Sequence, residues 1–192
     1  MEKVLFVNAC VRKCSRTHEL AQCVLDNLGG EICEINLAKE DLKPLGREQL
    51  SQRERFVSEN DFSDDMFKYA KQFAEADTIV VAAPYWDMAF PALLKIYLEQ
   101  ITVCGITFRY ENCMPQGLCR GKRLVYVTTA GGTIYDNFGF EYLRALAQKL
   151  YGISNIMFFK AENLDIDGND ANAILQAAKS EAVSNLTQNI KD

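Results

Sequence analysis

Apolar residues in this chain follow two spacings, and the two alternate along its length. Residues Lys3–Asn8 (KVLFVN) form a short apolar run closed by polar residues, which reads as a strand buried on both faces. From Thr17 onward Leu20, Ala21, Val24, Leu25 and Leu28 recur at helical spacing, and Gly29-Gly30 supplies the stop. Over 31–37, Ile32, Glu34 and Asn36 alternate with Cys33, Ile35 and Leu37, the period of a second strand. Ser63 predicts an N-cap ahead of Asp64 and Asp65, with Met66, Ala70, Phe73 and Ala74 as the stripe of a helix ending at Asp77. The β-branched, uncharged run 78–83 (TIVVAA), followed directly by Pro84, is the strongest strand signal in the chain. Pro91 opens a helix over 91–103 whose Leu93, Leu94, Ile96, Tyr97, Leu98 and Ile101 are apolar on nearly every side. Arg123–Thr129 predicts another strand, 138–151 a helix, 155–160 a last strand and 170–189 a closing helix.

Five strands alternating with helices predict a parallel sheet covered on both faces, because right-handed crossovers lay each helix back against the sheet. No internal repeat interrupts this order, and residues 1–192 read as one domain. One stretch departs from the rhythm. Residues 38–60 are charge-rich, carry Pro44 and Gly46, and run longer than an ordinary connection. They predict a polar excursion, either partly helical or a flap beside a site.

A chain of 192 residues is long enough to bury a core without covalent staples, and its 48% hydrophobic content is ordinary for a water-soluble domain. The net charge of −5 and the lack of a basic cluster argue against a nucleic-acid partner. Neither a signal peptide nor an apolar run of membrane-spanning length is visible, so a cytoplasmic location away from the membrane is expected. The seven cysteines are odd in number, contain no CxxC, and are accompanied by a single histidine, His18. That pattern predicts reduced thiols, with neither a disulfide framework nor a metal site.

In open parallel sheets, ligands bind outside the carboxyl ends of the strands where strand order reverses, which points to the loops after the first, third and fourth strands. After the first, Cys10, Arg12, Lys13, Cys14, Ser15, Arg16 and Thr17 lead into a helix N-terminus. Free N–H groups and the positive end of the helix dipole favour a phosphate there, with Ser15 and Thr17 as hydroxyl donors and Arg12 and Arg16 as cations. A plain helix cap with solvated cations explains the same residues. After the third strand Pro84, Tyr85, Trp86, Asp87, Met88, Ala89 and Phe90 place several aromatic rings in one tight loop, suited to packing on a flat ligand or simply on the neighbouring helix. After the fourth, Thr129, Ala130, Gly131 and Gly132 offer glycines that permit positive φ and close approach of backbone amides, as a bland turn also would. The conjunction of three such loops at converging strand ends favours the ligand reading.

The middle of the chain resembles the flavodoxin-like NAD(P)H quinone reductases and FMN-dependent azoreductases. Pro84 through Lys95 is similar to that family's P-x-Y-N-x-x-x-P-x-x-L-K segment, and 105–110 (GITFRY) to its G-x-T-F-x-Y segment. Gly117-Leu118, Gly121-Lys122 and the Gly131-Gly132 pair extend the likeness over most of residues 3–165. The resemblance implies a flavodoxin-like three-layer sandwich with a five-stranded parallel sheet in the order 2-1-3-4-5. It also implies FMN as cofactor, with Ser15 and Thr17 at its phosphate and Tyr85, Trp86, Asp87 and Met88 against the ring; Cys10, Arg12 and Pro84, beside them in the same loops, are further candidates for holding it. Thr129, Ala130, Gly131 and Gly132 fall near the pyrimidine edge. Cys10 and Cys14 stand where the family has serine or glycine, Asp87 replaces an asparagine, and no histidine follows Gly131-Gly132, where Tyr135 is the candidate proton donor. The implied activity passes electrons from NADH or NADPH to a quinone, azo or nitroaromatic small molecule. A flavodoxin-type electron carrier and a flavin-free interaction domain are the alternatives. The all-round apolar helix 91–103, together with the resemblance, predicts a homodimer whose interface borders the flavin site.

Overall fold

In the computed structural model, which describes residues 1–189, the chain runs β1 (Lys3–Asn8), α1 (Arg16–Leu28), β2 (Glu31–Asn36), α2 (Arg47–Glu59), α3 (Lys68–Glu75), β3 (Thr78–Ala82), α4 (Ala92–Ile101), β4 (Phe108–Glu111), β5 (Met114–Gly117), β6 (Arg123–Thr129), α5 (Phe138–Leu146), β7 (Asn155–Ala161) and α6 (Ala171–Asn189). Five strands form one sheet in the order β2-β1-β3-β6-β7, every neighbouring pair parallel. Leaving aside the separate β4–β5 hairpin, this is the expected 2-1-3-4-5 order, with its reversal between β1 and β3.

Alternation along each strand sends side chains into two cores. On one face Leu5, Val7, Ile79, Val81, Leu124 and Tyr126 pack against Phe73, Leu94, Tyr97 and Leu143 of α3, α4 and α5. On the other, Phe6, Val80, Val125 and Val127 meet Leu20, Val24, Leu175 and Leu186 of α1 and α6. β3 sits at the centre and is buried at all five positions, which is why its sequence is continuously apolar. β2 is an edge strand: Ile35 is buried, whereas Cys33, on the same side of the alternation, is exposed.

Several local expectations are corrected. Asp64, not Ser63, caps the turn before α3: its carboxylate accepts from the Met66 N–H at 2.9 Å, while the Ser63 N–H donates to Asp61. A charged acceptor there also complements the helix dipole. The polar excursion is partly helical. α2 has no fully buried residue, its half-buried Phe56 and Val57 rest against Phe67 and Val103, and Arg53 donates to the Glu99 carbonyl at 2.9 Å. The excursion leans on the C-terminal end of α4, and its first residues, Ala38 and Lys39, border a cavity with Asn8, Arg12 and Asn36 at the ends of β1 and β2. In α4 itself Leu94, Tyr97, Leu98 and Ile101 form one buried stripe, leaving Leu93 and Ile96 half-buried.

The β4–β5 hairpin was not expected. Its two-residue turn puts Asn112 and Cys113 at φ 51° and 62°, the left-handed pair that matches strand twist. It docks through Gly117, where a Cβ would lie 2.3 Å from the backbone of Tyr151 and Gly152.

Candidate functional site

Backbone pairing continues past the strand ends and pins the three loops together. The Ala9 N–H donates to Ala82 O at 2.8 Å, Ala83 N–H to Val127 O at 3.0 Å, and Tyr85 N–H to Thr129 O at 3.0 Å. The loops meet around a hollow of about 240 Å³, lined by the 11–17 loop, Pro84 to Trp86, Thr129 to Gly131, and Leu164 with Asp165.

The first loop leaves the sheet at Asn8. Buried Asn8 accepts the Cys10 N–H at 2.9 Å, donates to Glu34 at 2.8 Å and lies 3.3 Å from His18 Nδ1. The chain then enters α1 through Ser15, whose Oγ accepts from the His18 N–H at 3.3 Å and whose carbonyl accepts from Glu19 N–H at 3.0 Å. The next N–H groups, those of Arg16 and Thr17, have no intrahelical partner by construction, and both residues border the hollow. Thr17 is buried, and its Oγ1 lies 2.6 Å from Thr129 Oγ1, which ties the helix start to the end of β6.

The aromatic loop turns at Trp86–Ala89, which exchange hydrogen bonds of 3.3 and 2.8 Å around Asp87 and Met88. Those two residues hold φ of 51° and 64°. A methionine in the left-handed region is strained, so the surrounding contacts must hold the turn. Two hydrogen bonds do so: Tyr85 Oη donates to Asp136 O at 2.7 Å, and Phe138 N–H donates to Met88 O at 3.0 Å.

The glycine loop corrects the reason given for its glycines. Neither Gly131 nor Gly132 adopts positive φ. Gly131 is required by space, since a Cβ there would sit 2.3 Å from Asp165 Oδ2, whereas Gly132 has nothing within 4 Å. The segment 163–165 lies over this loop as a strap: Leu164 N–H donates to Ala130 O, Asp165 N–H to Gly131 O and Asn163 N–H to Gly132 O, at 3.3, 2.8 and 3.0 Å. With its carbonyls turned to the strap, the loop borders the hollow through Thr129, Ala130 and Gly131. Arg16 closes the remaining side, donating through Nη1 to Leu164 O at 2.9 Å and pairing through Nη2 with Asp165.

Of the expected site residues, Arg12, Ser15, Thr17, Pro84, Tyr85, Trp86, Thr129, Ala130 and Gly131 line the hollow. Cys10, Asp87, Met88, Gly132 and Tyr135 do not. Cys10 packs inward beneath the loop, its Sγ 3.8 Å from Ala82 O, and burial pushes its thiol up to about 11. Asp87 and Met88 form the tip of the turn, and Tyr135 is 85% exposed. Val11, Leu164 and Asp165 were missed; the last two reach the site from beyond β7, and no local spacing signals that. Arg16 was expected to serve a phosphate, yet both of its Nη groups are engaged by the strap. Among the described residues no group of three or more His, Cys, Asp and Glu is placed to hold a metal, and no helix is long and apolar enough to cross a membrane.

The donor set fits FMN: unpaired helix-start amides with two hydroxyls and Arg12 suit a phosphate, exposed Trp86 and half-buried Tyr85 suit a flat ring, and the backbone of the glycine loop suits a polar ring edge. Comparison with known proteins agrees. The family model described as flavodoxin-like fold matches residues 2–186. An FMN-dependent NADH:quinone oxidoreductase 2 of Clostridium acetobutylicum is 35% identical over 92% of this chain and 94% of its own. An FMN-dependent NADH:quinone oxidoreductase of Clostridium beijerinckii is 36% identical, over 93% and 94%. Among solved structures, an FMN-dependent NADH-azoreductase of Bacillus anthracis in complex with FMN superposes with TM-score 0.82 at 22% identity, covering 98% of this chain and 99% of its own. Sheet order, loop geometry and sequence likeness over nearly the whole length thus converge, and the chain belongs to the flavodoxin-like fold family that holds these oxidoreductases.

Proposed function

We propose that this chain is an FMN-dependent oxidoreductase that takes electrons from NADH and passes them to a quinone or azo acceptor. The observation that carries the reading is the meeting of a helix N-terminus, an aromatic loop and a glycine loop around one hollow. The names of the relatives supply the donor and acceptor classes.

FMN held there would supply two-electron hydride chemistry between the nicotinamide and the acceptor. The chain's own residues bind and orient. Ser15, Thr17, Arg12 and the amides at the start of α1 hold the phosphate, with the dipole of α1 adding to their attraction. Pro84, Tyr85 and Trp86 pack against the ring system and exclude water from one side of it. The backbone of the Thr129–Gly131 loop would face the polar edge of the ring, a role that needs no acid–base side chain. Tyr135, fully outside the hollow, is not required by this scheme.

A homodimer is part of the proposal, for a reason narrower than the helix pattern. α4 buries a single stripe, but Trp86, Met88, Phe138 and Tyr142 leave exposed apolar surface beside the hollow, and Phe90 and Tyr142 extend it with ring centroids 6.2 Å apart. A second copy related by a two-fold axis covers that surface and walls the open side. A reducing compartment such as the cytoplasm suits the seven free thiols.

The test is the visible spectrum of the purified protein, with and without added FMN, followed by steady-state NADH oxidation with menadione and sedimentation at micromolar protein. A flavin spectrum with turnover supports the proposal. FMN binding without nicotinamide oxidation would make the chain an electron carrier, and no flavin binding would make it neither.

A further inference from the structure

Four hydrogen bonds and one steric contact fix Asp165 in the wall of the hollow. Its N–H donates to Gly131 O at 2.8 Å, the neighbouring Leu164 N–H donates to Ala130 O at 3.3 Å, and its Oδ2 occupies the space a Gly131 side chain would need. Its Oδ1 accepts from Arg16 Nη2, while Arg16 Nη1 donates to Leu164 O at 2.9 Å. Arg16 is the first residue of α1, so the carboxylate stands at the same helix start that carries the Ser15 and Thr17 hydroxyls. A negative charge therefore belongs to the wall at the place where the donor set is otherwise arranged for an anion. It also cancels one of the two arginines that border the hollow, leaving Arg12.

We propose that Asp165 is a fixed counter-charge at the phosphate end, which keeps Arg16 on the strap and loosens the grip on a phosphate dianion. The inference rests on the flavin reading above. Its consequence is a phosphorylated flavin that exchanges with solvent more readily than the donor set alone would allow, because two like charges face one another across the hollow. A flavin without phosphate senses the device less, since it lacks the dianion. Asp165 thereby narrows the difference in affinity between FMN and riboflavin that Ser15, Thr17 and the α1 amides create.

Fluorescence titrations of FMN and riboflavin against wild type, Asp165→Asn, Arg16→Gln and the double variant decide the matter. Asparagine keeps the shape of aspartate and can still accept from Arg16, and thermal melting verifies each fold. At low ionic strength Asp165→Asn is expected to tighten FMN about threefold, a gain that shrinks as salt screens it, with riboflavin gaining less. Arg16→Gln weakens FMN by leaving the carboxylate unneutralised, and the double variant returns toward wild type. Unchanged or weaker FMN binding by Asp165→Asn makes the residue a strut and overturns the proposal. An equal gain for riboflavin overturns it too. A wild type that binds no flavin removes the functional reading itself, and this inference with it.

Discussion

Two adjacent glycines in the β6–α5 loop offer a sharp test of how the site is built, because the structure assigns them opposite responses to a methyl group. At Gly131 an added Cβ would lie 2.3 Å from Asp165 Oδ2, 3.0 Å from its Cγ and 3.2 Å from its Cβ. The aspartate cannot simply swing aside, since Arg16 holds its carboxylate and Gly131 O holds its backbone. Relief costs the half-exposed ion pair, about 0–1 kcal/mol, plus an overpacking penalty of about 1–3 kcal/mol. Gly131→Ala should therefore lose about 1–4 kcal/mol, which for a chain of this size lowers Tm by roughly 3–12 °C. Gly132 has nothing within 4 Å and no positive φ. Gly132→Ala should raise stability by about 0.4–1 kcal/mol, by restricting the unfolded chain. Thermal melts of the two variants beside wild type read out the contrast. A Gly131→Ala protein that melts with wild type, or a pair of variants shifted alike, would refute the account of the strap as a fixed wall.

Replacing Ser15 and Thr17 together with alanine should weaken FMN binding by about 2–4 kcal/mol, because each hydroxyl-to-phosphate bond is charge-assisted. Fluorescence titration measures the loss; unchanged affinity with an intact circular dichroism spectrum returns both residues to capping and packing. Iodoacetamide should label the exposed Cys14, Cys33 and Cys113 first, while Cys10 and Cys119 lag, since burial pushes their thiols up to about 11 and about 12. Peptide mass mapping over time distinguishes these, and early labelling of Cys10 would mean that the phosphate loop opens. Burial acts to raise the Glu162 carboxyl, but hydrogen bonds from Lys160 and the Ile134 N–H outweigh it and hold the group below the usual glutamate range. A depressed folded value gives stability that is full above the unfolded value and lost as pH falls through the folded one. The Tm gap between wild type and Glu162→Gln seen at neutral pH should close below about pH 4; a constant gap would contradict it.

The sheet was legible because buried parallel strands write themselves as uninterrupted apolar runs, as in 78–83, and because each helix facing the sheet shows one stripe. The β4–β5 hairpin was not, since only Phe108 of its eight residues is buried and Pro115 breaks the strand pattern. α2 could be read either as helix or as flap because no residue of it is fully buried, so little periodicity is imposed on it. Within the site, residues contributed by their own local loop were readable from residue type. Cys10 was assigned by proximity, but a small apolar side chain next to a strand end is as well suited to the core, where it lies. Glycine carries two messages that a sequence does not separate, backbone conformation and want of room, and Gly131 bears the second. Asp165 acts through Arg16, 149 residues away, and only the docking of β7 brings them together.

That separation has a meaning for synthesis. The helix start that would receive a phosphate emerges from the ribosome early, whereas the strap over the glycine loop follows the last strand. A nascent chain lacking residues 162–165 owns the cradle without its wall. In that chain Arg16 has neither Leu164 O nor Asp165 to hold it, so the arginine at the helix start stays free for an anion until β7 has paired and the strap has closed over the glycine loop.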